Sequence, residues 1–242
     1  MTKIFSIPRI NSLGLNGPEK TPQILLQKKK YIQIKSDNEN ITEDEKEIYN
    51  VIKKEIASND KILLIGGDHS ITYPAGKAFL QKYKNKSFLI IFDAHTDCMP
   101  PMKEPTHEEF LAGLIKQGWP TKNILIIGLR KIEPEEQKFL DKHKIKYVSH
   151  YYNNTITQIK KLTINKKIYL SIDIDAIDPK YAPAVNYPEP NGLTKKTFFK
   201  LIKTINKNQV PIIIDIVEIV PDKDKKNKTI KLAKKLIKIL TN

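Results

Sequence analysis

Phe88-Leu89-Ile90-Ile91-Phe92 runs directly into Asp93-Ala94-His95-Thr96-Asp97, and this junction decides how the rest of the chain is read. Five consecutive apolar residues leave no polar face, which is the pattern of a parallel strand covered on both sides. Three ionisable residues follow at once. On an extended backbone a period of two puts Asp93, His95 and Asp97 on the same side, where three potential ligands point together. A polar strand end facing solvent fits poorly after so apolar a run.

Outward from this junction, short apolar runs alternate with amphipathic stretches, the signature of a parallel sheet with helices on both faces, an α/β chain. The expected strands are Lys3–Ser6, Tyr31–Lys35, Lys61–Ile65, Phe88–Phe92, Asn123–Gly128, Lys146–Val148, Lys167–Ile172 and Val210–Val217. One helix is expected to open at Thr42, with Glu45 completing a capping box, and another near Thr106, with Glu109 in the same role. The second would put His107 at the first helical position. Further helices are expected over Ile71–Tyr83, Pro134–His143, Thr155–Leu162, Thr194–Ile205 and Thr229–Leu240. No repeat or linker interrupts the pattern, so the 242 residues read as a single domain, 1–242.

The formal net charge of +15 raises nucleic-acid binding as a class. Arg9 and Arg130 are the only arginines, however, and the lysines are spread over every expected helix rather than gathered on one face. Solvated helix faces explain them better. The single cysteine, Cys98, excludes an internal disulfide and a cysteine-rich zinc site and points to a reducing compartment. Residues Met1 to Ile10 hold no apolar stretch long enough for a signal peptide or a membrane span, so a cytoplasmic protein without membrane contact is expected.

Three other ionisable clusters follow expected strands: Gly66-Gly67-Asp68-His69-Ser70, Ser171-Ile172-Asp173-Ile174-Asp175 with its Asp178-Pro179 tail, and Asp215-Ile216-Val217-Glu218. Ligands of open parallel sheets bind at the carboxyl ends of strands, so four distant segments converge on one crevice. Asp173 and Asp175 would repel each other beside an apolar strand unless a cation lay between them. The proposed ligands comprise four carboxylates and two imidazoles with no thiolate, a set suited to manganese, iron(II) or magnesium. Two divalent ions would balance the carboxylates, and a water shared by them would be acidified toward neutrality.

In these motifs, and from Gly17-Pro18-Glu19 to Glu218-Ile219-Val220-Pro221, the chain resembles the arginase and agmatinase family, the ureohydrolases. The resemblance implies a three-layer αβα sandwich and two Mn2+ ions per subunit. It implies that Asp93 and Asp173 bridge the ions, that His69 and Asp97 complete one, and that His95 and Asp175 complete the other. It gives His107 a role in proton transfer and Glu218 the task of holding a guanidinium group. His107, Glu218 and Asp97 then form the catalytic set for cleaving a small guanidino substrate to an amine and urea, in a homo-oligomer, a trimer or hexamer.

Two departures bear on the substrate. Met99 stands where arginases carry an asparagine, and the spacing from Asp97 to His107 is similar to that of agmatinases. Ala184-Val185-Asn186-Tyr187-Pro188-Glu189-Pro190 replaces a Gly-Thr-Gly-Thr-Pro segment, so Tyr187 stands in place of a threonine. Formimidoylglutamases also depart here, but typically have an aromatic residue in place of Thr96 and lack the histidine at 107. The order of expectation is agmatinase-like, then formimidoylglutamase-like or another guanidino-acid hydrolase, then arginase. A catalytically silent relative and a nucleic-acid-binding protein are the alternatives of other classes.

Overall fold

The computed structural model describes residues 2–58, 60–149 and 155–241. Every expected apolar run becomes a strand: β1 (Thr2–Ile7), β2 (Ile32–Gln33), β3 (Lys61–Gly66), β4 (Ser87–Phe92), β5 (Ile124–Ile127), β6 (Lys146–Val148), β7 (Lys167–Asp173) and β8 (Ile213–Val217). The helices are α1 (Thr21–Leu26), α2 (Ile41–Ile56), α3 (Thr72–Tyr83), α4 (Phe110–Lys116), α5 (Pro134–His143), α6 (Thr155–Leu162), α7 (Lys195–Asn208) and α8 (Lys228–Thr241). All strand pairings are parallel, and the sheet order is β2-β1-β3-β8-β7-β4-β5-β6.

Alternation along each central strand feeds two cores, which makes the three layers. On β4, Phe88, Ile90 and Phe92 join Phe198 and Ile202 of α7 and Leu236 of α8 on one face. Leu89 and Ile91 join Ile52 of α2, Phe79 of α3 and Leu114 of α4 on the other. Helices α1, α6, α7 and α8 thus cover the first face and α2 to α5 the second.

Several boundaries differ from expectation, each for a local reason. The Tyr31–Lys35 run shrinks to two residues because β2 is an edge strand whose Ile32 is exposed. The Val210–Val217 run starts at Ile213, because Val210 is exposed and Pro211 has no N–H for a ladder. Helix α2 is capped by Asn40, whose Oδ1 accepts from Glu43 N–H at 3.2 Å, and not by Thr42. The Thr42 hydroxyl instead donates to Glu104 at 2.6 Å. At Thr106 the capping box is half formed: Glu109 accepts from Thr106 N–H at 3.3 Å, while Thr106 Oγ1 has no partner among the described residues. The helix therefore starts at Phe110, and His107 lies in the turn ahead of it. The short helix α1 has no counterpart among the expected elements.

What positions the site is the strand order. β7 and β8 come last in the chain but insert between β3 and β4, so the four strands that end in ionisable clusters are neighbours.

Candidate metal centre

Each cluster is bent by its own backbone. After β3 the chain passes so close to Arg9 that a Cβ on Gly67 would lie 2.1 Å from the Arg9 carbonyl oxygen, which only glycine allows. Asp68 then caps a single turn over His69–Ile71, and Arg9 clamps this turn from behind. The Arg9 side chain is fully buried and its Nη1 donates to Ser70 O at 2.9 Å and Ser70 Oγ at 3.0 Å.

After β4 the backbone leaves the sheet at once. His95 N–H donates to Asp93 Oδ1 at 2.7 Å, and Asp97 takes a left-handed φ of 49°. Asp93, His95 and Asp97 therefore converge through a turn, and the strand period invoked from the sequence is not the cause. Asp175 likewise lies in a single turn after β7, its N–H held by Asp173 Oδ1 at 2.8 Å. Glu218 follows β8 at a φ of 63°, which returns its carboxylate to the cluster to accept His69 N–H at 2.8 Å.

The result is two triads sharing Asp93: His69, Asp93 and Asp97, and Asp93, His95 and Asp175. His69 Nδ1 lies 2.9 Å from Asp97 Oδ2, 3.0 Å from Asp93 Oδ2 and 3.6 Å from Asp173 Oδ2. His95 Nδ1 lies 2.9 Å from Asp175 Oδ2 and 3.6 Å from Asp93 Oδ1. Asp93 thus turns a different oxygen to each histidine, as a bridging carboxylate would. Asp173 falls outside both triads: its Oδ2 faces His69 of the first, and its Oδ1 accepts from the N–H of Asp175 in the second.

A hydrogen-bond chain orients the first histidine. Asp215, fully buried, accepts from Tyr169 Oη at 2.7 Å, Thr72 Oγ1 at 2.9 Å, Ser171 Oγ at 2.7 Å and Ile172 N–H at 3.2 Å. With the Ser171 proton committed to Asp215, the serine oxygen accepts from His69 Nε2, 2.8 Å away. That leaves Nδ1 as the atom facing the carboxylates, and the ring packs on Phe110 with centroids 4.1 Å apart. Despite their proximity, His69 Nδ1 and Asp93 Oδ2 are buried and align a hydrogen bond with no partner among the described residues. Orphaned donor atoms of this kind fit a hard divalent cation.

Without a cation the cluster holds protons. Burial and the Asp93 charge push Asp97 up to about 8. Burial opposes the charged imidazole of His95, but the hydrogen bonds and charges of Asp175 and Asp93 outweigh it and raise it to about 12. His69 is raised well above its ordinary value by Asp93 and Asp97 against the same burial cost. Asp173 is raised by burial and by the charges of Asp175 and Asp93. Such a set binds metal in exchange for protons.

Above the triads lies a cavity of about 250 Å3 lined by His107, Glu218, Met99 and Tyr187, with Glu108, Glu133 and Glu189 also on its wall. His107 Nδ1 lies 3.3 Å from Glu218 Oε1, and burial, which lowers its pKa, is outweighed by Glu218, raising it to about 9. The Tyr187 ring lies 6.4 Å from that of His107 and 6.1 Å from that of His95. All eight site residues expected from the sequence therefore border one cluster and its cavity.

Sequence reasoning overlooked Arg9, Arg130 and the Ser171–Asp215 pair as supports. The signal was present for Arg130: in a chain that otherwise uses lysine, an arginine there meets several carbonyls with a planar fork of donors.

Residues 13–241 match the model of the Arginase family. The chain is 30% identical over 210 residues to an arginase of Plasmodium berghei, covering 76% of this chain and 59% of that protein. It is 31% identical over 176 residues to an agmatinase of Chromobacterium violaceum, covering 70% and 53%. The chain thus spans little more than half the length of these curated relatives. A formimidoylglutamase structure from Bacillus subtilis superposes with a TM-score of 0.88 at 20% identity, covering 99% of this chain and 85% of that one, a likeness of fold. Among the described residues no helix is long and apolar enough to cross a membrane.

Proposed function

The chain belongs to the arginase family, and on that premise we propose that it is a binuclear manganese hydrolase cutting a small, agmatine-like guanidino compound to an amine and urea. The observation that carries the reading is the pair of triads sharing Asp93, with bare donor atoms of His69 and Asp93 turned toward each other. His69, Asp93 and Asp97 would hold one ion and Asp93, His95 and Asp175 the other, with Asp173 as a second bridge. When bound, the ions supply Lewis-acid activation of water near neutral pH.

The chain's own residues do the rest. Glu218 presents a carboxylate to the planar guanidinium, and its contact with His69 N–H fixes its direction. His107, beside Glu218, holds a proton at neutral pH that it can deliver to the departing amine. Tyr187 lines the cavity beside the His95 and His107 rings. The charge of the cavity wall supports a cationic tail: Glu108 and Glu189 are acidic, while Lys131 is paired with Glu133 at 2.9 Å. A carboxylate-bearing tail would meet repulsion there.

Urea release from agmatine, arginine and shorter guanidines, measured with added manganese, tests the reading. Turnover with agmatine above arginine is expected. Failure to release urea from any guanidine by manganese-loaded protein would refute it.

A further inference from the structure

Arg130 is one of two arginines in the chain, and the hydrogen bonds of its guanidinium end on main-chain carbonyls. Nε donates to Pro190 O at 2.9 Å, Nη1 to Gly128 O at 2.9 Å, and Nη2 to Asp175 O and Glu189 O at 2.7 Å each. Its backbone N–H donates to Ala94 O at 2.9 Å, and the next N–H, of Lys131, joins it at 3.0 Å. Ala94 stands between Asp93 and His95. One residue therefore grips both loops of the His95 triad and the loop that carries Tyr187 and Glu189 over the cavity. Gly192 makes room for the fork, since a Cβ there would lie 2.8 Å from Arg130 Nη2.

A rigid planar fork can satisfy these four carbonyls and Ala176 O, 3.5 Å from Nη1, in three segments, and a lysine ammonium cannot. Because the bonds fall on Asp175 itself and on Glu189 itself, a shift of either loop is transmitted to the other. Among the described residues, the hydrogen bonds of the Arg130 side chain do not reach the turn that carries His69.

We propose that Arg130 is a positioning residue that couples the His95 triad to the cavity loop, so that ion capture at that triad and binding of the substrate tail are linked. This rests on the metallohydrolase reading above. Linkage of this kind is reciprocal: a bound guanidine tightens the ion, and the ion tightens the guanidine.

The test titrates manganese into wild-type protein, Arg130→Gln and Arg130→Lys against a competing chelator, alongside KM, kcat and melting temperature. In Arg130→Gln, one of two ions is expected to weaken by roughly 10–100-fold while the other is unchanged. KM should rise more than kcat falls at saturating manganese, and Arg130→Lys should fall between the two. Two ions held as tightly as in wild type would overturn the proposal. So would equal weakening of both ions with a lowered melting temperature, which marks a general staple. If Arg130→Gln does not fold, Arg130→Lys decides by the same criteria. Wild-type protein that takes up no manganese would end the metallohydrolase reading and this one with it. Wild-type protein that holds two ions but cuts no guanidine would end only the proposed reaction, and the ion titration would still decide on Arg130.

Discussion

Ser171 and Asp215 are cross-strand partners in register on β7 and β8, and between them they choose which nitrogen of His69 is free. Ser171→Ala removes the acceptor for His69 Nε2 and should weaken manganese binding by roughly 10–100-fold. Chelator competition reads this directly, and unchanged affinity would rule out the orienting role. Glu218→Gln keeps an acceptor for His69 N–H but loses the charge. A charge-assisted bond contributes about 1.5–3 kcal/mol, so kcat/KM for a guanidine should fall roughly ten- to hundredfold. Steady-state kinetics that match wild type would remove Glu218 from substrate binding.

Protonation of the same residues sets a pH dependence whose sign follows from their shifts. Asp97 stands at about 8 when folded against 3.8, and His107 at about 9 against 6.5. Both folded values lie above the unfolded ones, so each contributes stability at low pH that is lost as pH rises. For Asp97 the loss runs from 3.8 to about 8, and for His107 from 6.5 to about 9. Chelated protein should therefore melt at a lower temperature at pH 9 than at pH 6.5, and manganese should remove the part of the difference due to Asp97 by replacing its proton, leaving the part due to His107. Calorimetry of the chelated protein giving a flat or rising melting temperature over that range would contradict this.

Among the elements, the capping of α2 offers a clean comparison. Asn40→Ala removes the cap of Glu43 N–H and should cost about 1 kcal/mol. Thr42→Ala, at an exposed hydroxyl one residue inside the helix, should cost less than about 0.5 kcal/mol. Denaturant titration separates them, and the reverse ranking would restore the capping box expected from the sequence. The elements themselves were legible because buried parallel strands read as unbroken apolar runs, as Phe88–Phe92 does. The ligands were legible because acids and histidines directly after such runs need a reason to be there. Their geometry was not. Asp97 and Glu218 reach the cluster through left-handed backbone, which no periodicity in side-chain type reports. Asp215 was visible as an acid within a strand, yet its partner Ser171 lies 44 residues away in sequence, and only the strand order brings them together.

For the molecule as a whole, the charge of +15 and the acidic cavity pull in different directions. A cationic guanidine is repelled by the overall field but attracted locally, so added salt should weaken the long-range repulsion first. The initial association rate is expected to rise with moderate salt, measured by stopped-flow binding of a guanidine inhibitor. A monotonic fall would show that the local carboxylates dominate at every distance.

The insertion of β7 and β8 between β3 and β4 also sets a timetable for birth. While a ribosome is still making the first half of the chain, the loops bearing His69 and Asp93 have no neighbours to bring them side by side. A nascent polypeptide cannot assemble the pair of triads until β8 has emerged through Val217 to fill the place between β3 and β7, and Glu218 follows it directly. Any product cut short before that point would leave translation unable to retain an ion at the paired site, however much was supplied.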